Sequence, residues 1–346
     1  MKNLLEIKKF LDKFTTNGGY DIDDDGKVNV NGYLNINSQP RLTEIPIKFG
    51  IIRGHFDCSN TRLTTLKGCP EKVDGDFTCV SSSYLTDLEG SPKYIGGNFE
   101  CLYNTLTSLK GGPQYVGGNL VIMTNELNSL EHIPDYIGGD FDCSANGLTT
   151  LKGGPKKVNG NFNCSMNNLA NLEGSPESVG GFFCTTNDLT TLKGGPEYVD
   201  NKYDCSHNFL TNLEGSPKKV DTFYCKWNEL TTLKGGPIFV SNNYFCNKNN
   251  LTNLEGFPEK LGGSCNISDN DIYDLKGYNV KKFIRVYENP IYNIFPTFEP
   301  EELDWFRTFK PIEGNKINLK RFKYVMSSLG QEYDLEKLNK IYTIDD

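Results

Sequence analysis

Histidine is scarce in this chain. His55, His132 and His207 are the only three among 346 residues, and they lie too far apart to form an obvious metal or catalytic cluster. No apolar run approaches the roughly 20 residues that a membrane-spanning helix needs. The opening segment, Met1 to Lys9, carries Lys2, Glu6, Lys8 and Lys9 and lacks the apolar stretch of a secretory signal, so no signal peptide is expected. Basic charge is in deficit as well. With 36 Lys and Arg against 44 Asp and Glu, the net charge of -8 argues against a duplex nucleic acid partner, because such binding is driven by neutralising phosphates. The segment after Ile294 has no Cys and no His, so it offers no thiol nucleophile.

Glycine and cysteine are abundant instead, at 35 and 11 residues, and both belong to a repeat of about 21 residues running from Leu34 to Ile294. One column reads Ile36, Cys58, Cys79, Cys101, Ile122, Cys143, Cys164, Cys184, Cys205, Cys225, Cys246, Ile267 and Val286. Two positions earlier stands a second apolar column that includes Phe56, Phe77, Phe99, Phe141, Phe162, Phe182, Tyr203, Phe223 and Tyr244. Phe-x-Cys alternates with period 2, so these pairs predict short strands with both columns on one face. Two further Leu turn the next segment inward, as at Leu148 and Leu151. Gly and Pro then break the chain before a Val or Ile re-enters the core, as in Gly154, Pro155 and Val158. An Asn column, from Asn104 through Asn167 and Asn208 to Asn289, stands beside the strands. A buried Asn there can satisfy backbone groups that the bend leaves unpaired and pass that role from coil to coil. The wording L-x-L-x-x-N-x-L, with Phe and Cys in Leu places, resembles the leucine-rich repeat. Its period and Gly/Pro-rich return resemble the short bacterial type, and its wording is similar to leucine-rich repeat proteins encoded by tailed phages.

The fold expected is therefore a repeat solenoid of about 13 coils, leucine-rich-repeat-like, with short parallel strands on a concave face, little helix in the repeats and helical caps at both ends. Residues 1–33 read as an N-terminal helix and capping turn, 34–295 as the solenoid, and 296–346 as a C-terminal helical cap. Leu4, Ile7, Leu11 and Phe14 recur at helical spacing. At the other end Pro300 opens a helix through Trp305, Phe306 and Phe309. Phe322, Val325, Met326 and Leu329 mark a second helix, and Leu335, Leu338 and Tyr342 a third. Some bacterial relatives of the resembled family carry a ubiquitin-ligase domain with a catalytic Cys behind their repeats; this tail has no residue for that role.

Most of the cysteines occupy inward columns that also accept Ile, Val, Phe and Leu, so the sites ask for a small hydrophobe and the thiols are expected to be free, buried and in a reducing cytoplasm, the host cytoplasm for a phage-encoded chain. Cys69, at a turn position otherwise held by Gly or Ser, is expected to be exposed. Asp21, Asp23, Asp25 and Gly26 match the first half of a calcium loop. The twelfth position, however, is Gly32 where a Glu is needed, and a turn leading into the first coil is the simpler reading. No metal or cofactor is expected, and whether these three carboxylates bind calcium stays open. After the second Leu, charge alternates without exception from Lys67 and Glu89 to Glu255 and Lys276, which stacks opposite signs on neighbouring coils. A column of Thr, including Thr149, Thr190 and Thr231, sits in a bend and so is no flat ice-binding array.

The outward strand position holds Asp57, Thr78, Glu100, Val121, Asp142 and Asn163, then turns aromatic at Phe183, Tyr224 and Phe245, with Asp204 between. Two positions past the Cys column stand His207, Trp227 and Lys248, with Lys226 alongside. Exposed rings flanked by Lys are the usual makings of an interface hot spot. A weaker second patch is Leu102, Tyr103, Val121 and Met123. The reading is a non-enzymatic scaffold that binds a protein partner through Phe183, His207, Tyr224, Lys226, Trp227, Phe245 and Lys248, with no membrane contact and an undetermined oligomeric state. The resemblance implies a phage protein that engages a host factor. The alternatives are a phage virion structural component, or an enzyme or effector module in the C-terminal helices.

Overall fold

The computed structural model describes residues 4–16, 19–278, 284–294, 297–298 and 300–345. It is a parallel-strand solenoid of about 12 turns of ~21 residues with little helix in the turns. Two compact units divide the chain: Met1–Leu169 with Glu173–Gly180, and Ala170–Leu172 with Gly181–Asp346. No helix among the described residues is long and apolar enough to cross a membrane.

In the first unit, the Phe-x-Cys strands pair in parallel and in register from Tyr33–Asn35 to Phe162–Asn163, so that Phe56 opposes Phe77 and Phe99 opposes Leu120. The returns pair too: Phe49–Ile52, Lys72–Val73, Tyr94–Ile95, Tyr115–Val116 and Tyr136–Ile137 form a second parallel ladder. Both open edges are covered at the N-terminal end. Thr15–Thr16, which follows the helix Leu4–Phe14, pairs antiparallel with Tyr33–Asn35, while Val28–Val30 joins the return ladder at Phe49–Ile52. Covering an edge in this way removes a row of unpaired amides and carbonyls. The acidic run forms a hairpin between Tyr20–Ile22 and Val28–Val30, where the Asp23 carboxylate accepts the amides of Asp25 and Lys27.

In the second unit the strands run from Phe182–Phe183 through Lys202–Asp204, Thr222–Tyr224, Tyr244–Phe245 and Cys265–Asn266 to Ile284–Arg285. An antiparallel strand, Thr297–Phe298, closes that end. The C-terminal helices Pro300–Phe309 and Leu319–Leu329 fall where expected, whereas the third, Leu335–Leu338, is a single turn that stops short of Tyr342. A three-stranded sheet of Ile312–Glu313, Lys316–Asn318 and, after the last helix, Thr343–Asp345 accompanies them. It lies outside the repeat, and strands of two or three residues are too short to show alternation on their own. This module docks on the last coil through the Tyr342 hydroxyl, which donates to the Tyr273 carbonyl at 3.0 Å, and Arg307 Nε, which donates to the Tyr278 carbonyl at 3.0 Å.

The core is built from the two strand columns, the paired Leu and the Val of the return, nearly all fully buried. Phe56, Phe77 and Phe99 stack with centroids 5.5 and 5.4 Å apart. The Asn column does what its position implied. Asn208 Oδ1 accepts the amides of Asn187 and Leu189 in the preceding coil, and its Nδ2 donates to the carbonyls of Cys184 and Cys205. Asn167, Asn249 and Asn270 repeat the pattern. At the return the coils approach so closely that a Cβ on Gly174 would lie 2.5 Å from backbone atoms of Leu151 and Lys152, and its φ of +96° also excludes a side chain. The alternating charges pair as expected, with Lys110 to Glu89 at 2.9 Å, Lys152 to Glu173 at 3.3 Å and Lys234 to Glu255 at 3.2 Å. All are exposed, so each contributes only a few tenths of a kcal/mol.

All eleven cysteines are free and buried. Cys69 was expected at the surface, and this is corrected: it is 6% exposed. The return position it occupies faces inward, as the neighbouring coils show. Ser91 and Ser216 are buried there, Gly112, Gly154 and Gly236 leave room for the Leu of the preceding coil, and Phe257 and Tyr278 fill the same column with rings. Burial pushes the thiols of Cys58, Cys143, Cys205 and Cys246 well above their ordinary value, so they stay protonated.

Two measurements check this packing. A thiol reagent should label almost none of the 11 cysteines in the native chain and all of them after denaturation; rapid native labelling of several would contradict the buried columns. Replacing Asn208 with Ala removes the Oδ1 acceptor of two buried amides, Asn187 and Leu189, and one of the two carboxamide donors at each of the Cys184 and Cys205 carbonyls, and chemical denaturation should register a loss of about 2 kcal/mol or more.

Candidate interaction face

The outward features of the second unit follow from one turn repeated in every coil. After each strand the chain must bend, and the residue two past the Cys column adopts a left-handed conformation, φ 58° at His207, 56° at Trp227 and 60° at Lys248. For a residue with a Cβ this costs about 1 kcal/mol. The conformation is held by amides pairing with the following coil: His207 donates to the Lys226 carbonyl, Trp227 to Asn247 and Lys248 to Ser268. The left-handed turn leaves each of these side chains on the surface, in a column that repeats once per coil.

The outward strand position is tied to the same turn. Where it holds Asp or Asn, the side-chain oxygen accepts the amide two residues on, as Asp204 does from Ser206 and Asn266 from Ser268. A Phe at this position cannot accept that bond. Phe183 and Phe245 therefore give up a local cap worth about 1 kcal/mol, and Tyr224 puts a ring in the same place. A ring gains contact area in exchange.

The sequence-predicted residues form two stacks. Tyr224 and Phe245 lie 4.8 Å apart with an interplanar angle of 7°. In the adjacent column His207 stacks on Trp227 at 5.5 Å and 16°, and Lys248 Nζ lies 4.2 Å from the Trp227 ring centroid. Lys248 also reaches the Asp269 carboxylate at 4.0 Å. The Asp269 carboxylate also neighbours Glu288, next in the column, and its proximity raises the Glu288 carboxyl above its ordinary value. Lys226 is half-buried between Cys225 and Trp227. Phe183 stands apart from the others, because its strand partner is Asp204, and Asp204 in turn opposes Tyr224. Trp227 remains 48% exposed although neighbours lie against its ring.

Besides exposed tyrosines such as Tyr198, the exposed Phe209 and Ile238 of this unit escaped the sequence reading. Phe209, 50% exposed, follows Asn208 at a position that holds Glu126, Gly147, Asn168 and Asp188 in earlier coils. The same break from polar to aromatic that marked the strand face was legible there. Ile238, 47% exposed, lies on the return. In the first unit's second patch only Tyr103 is well exposed, while Leu102, Val121 and Met123 are half-buried.

The fold is leucine-rich-repeat-like. No known family model matches the sequence, and no curated protein matches it either. Among solved structures the chain is similar to YopM from Yersinia enterocolitica WA-314, at 18% identity and a TM-score of 0.49, over 74% of this chain and 64% of that one. It is also similar to the functional domain of InlJ from Listeria monocytogenes, described as including a cysteine ladder, at 16% identity and a TM-score of 0.30, over 68% of this chain and 64% of that one. The chain thus spans a little under two thirds of the length of each.

The stacked side chains stand outside the core, so trimming them should barely affect folding. Trp227→Ala, Tyr224→Ala and Phe245→Ala should each change unfolding free energy by less than about 1.5 kcal/mol, the larger part being lost ring stacking. A thermal melt lowered by far more than the few degrees this implies would place the rings in the core.

Proposed function

We propose that the chain is a non-enzymatic scaffold that holds a protein partner on the strand face of its second unit, through His207, Tyr224, Lys226, Trp227, Phe245 and Lys248, with Phe183 at the margin. The observation that carries this reading is the stack itself. Trp227, 48% exposed, is held between His207 and Lys248, so its rotamer freedom is already lost before a partner arrives. Pre-ordered aromatic anchors reduce the entropy cost of association, which is why such residues dominate interface energies. The stack leaves Trp227 half-exposed with the Lys248 ammonium over its ring, and half-buried Lys226 is its neighbour in sequence. That surface offers donors and positive charge, and it suits a partner segment rich in carbonyl and carboxylate oxygen. If the chain is phage-encoded, as its wording resembles, the partner is a host protein or another phage protein.

An affinity capture with the whole chain as bait identifies the partner, and the three ring variants then test the face. Each should weaken binding about thirtyfold, the equivalent of about 2 kcal/mol. Lys152→Ala, on the outer return, should leave binding unchanged. If all three ring variants bind as the parent does, this face is not the site and the C-terminal helices around Trp305 become the next candidate.

A further inference from the structure

The first unit carries a second aromatic ladder on its return side. Tyr94, Tyr115 and Tyr136 are strand partners in register, with ring centroids 4.8 and 4.9 Å apart and interplanar angles of 2° and 9°. Tyr94 and Tyr136 are 39% and 45% exposed. Each Tyr alternates with an inward Ile or Val, so the rings are the outward residues of a flat ladder. Beside them Gly96, Gly117 and Gly138 add no side chains. Their absence is enforced, because a Cβ on any of the three would run into the carbonyl of the coil before. The result is a straight ridge of ring edges and phenol hydroxyls with bare backbone at its flank.

The residue just before each ring is exposed: Lys93, Gln114 and Asp135, with Glu71 before Lys72 and Lys156 before Lys157 at the corresponding sequence positions of the flanking coils. Read from its centre, this column is charge-complementary to its own reverse. A two-fold axis through the Tyr115 rung, lying in the plane of contact, sets two copies face to face with their coils antiparallel and brings each column onto itself in reverse order. Tyr94 then meets Tyr136 of the second copy and Tyr115 meets its equivalent. Lys93 faces Asp135 and Gln114 faces Gln114. The register of the three paired rungs makes these matches and the ring matches possible at once, as an isologous interface requires; Lys156 lies beyond the last paired rung, where Lys157 bridges to Ser178 instead.

From this we infer that the tyrosine ladder of the first unit is a self-association surface, and that its occupant is a second copy of this chain in antiparallel orientation. Lys72, at one end of the ring column, is already paired with Asp74 at 2.9 Å. Lys93 now donates to the carbonyls of Gly111 and Gly112. These contacts are exposed and exchange for intermolecular ones at little cost. The three paired rungs span only about 10 Å, so the dimer is small and weak.

Sedimentation equilibrium of the full chain from about 1 to 500 μM tests this, with circular dichroism to confirm that each variant is folded. The parent should fit a monomer–dimer equilibrium. Lys93→Asp and Asp135→Lys alone should each weaken it at least tenfold, since each sets like charges against one another twice in the symmetric pair. The double variant should recover to within about threefold of the parent. Tyr115→Glu, with two carboxylates meeting on the axis, should abolish it. A chain that stays monomeric throughout overturns the inference. So does a dimer indifferent to the single reversals, or one that the double variant fails to restore.

Discussion

Every coil of this protein bends immediately after a buried strand, and a bend there leaves amides and carbonyls without strand partners in a place that water does not reach. The Asn column resolves this. One carboxamide accepts from the preceding coil and donates to carbonyls on both coils, so each Asn is complete only when its neighbour is in place. An unpaired buried peptide group costs about 1–3 kcal/mol, which is more than any surface contact in the molecule contributes. Coil spacing and lateral register are consequences of that bond geometry.

Once the register is set, every outward column becomes a ladder. Lys and Glu alternate into ion pairs, Tyr stacks on Tyr, and His207, Trp227 and Lys248 line up on three successive left-handed turns. A ring in such a ladder has its faces against its neighbours and shows its edges to solvent. Edges carry the positive side of the ring quadrupole and the polar N–H or O–H. Both exposed aromatic ladders therefore suit protein surfaces that bring oxygen atoms or further rings.

Much of this was legible in the sequence because a period is a direct imprint of stacking. The Phe and Cys columns, the Asn column, the alternating charges, the helices at both ends and the aromatic turn in the strand column could be read by aligning the chain with itself. Cys69 was misread because its column is filled by Gly and Ser in most coils. Small residues mark a loose turn in one setting and a crowded core in another, and only the adjacent Leu side chains decide which. The three-stranded sheet near the C-terminus was missed because it lies outside the repeat and its strands are too short to show alternation.

The sequence by itself determined which residues are inward and which are outward in nearly every coil, since period and hydrophobicity are local properties that survive without coordinates. Tertiary structure alone decided which outward residues touch. Phe183 belongs to the same column as Tyr224 and Phe245, yet Asp204 lies on the rung between. His207 and Trp227 stack because their left-handed turns fall one coil apart. Tyr94, Tyr115 and Tyr136 became a surface only when the returns proved to be a second ladder in register. The physical reason is distance: contacts across coils join residues about 21 positions apart, and their geometry is fixed by the packing of the whole coil between them.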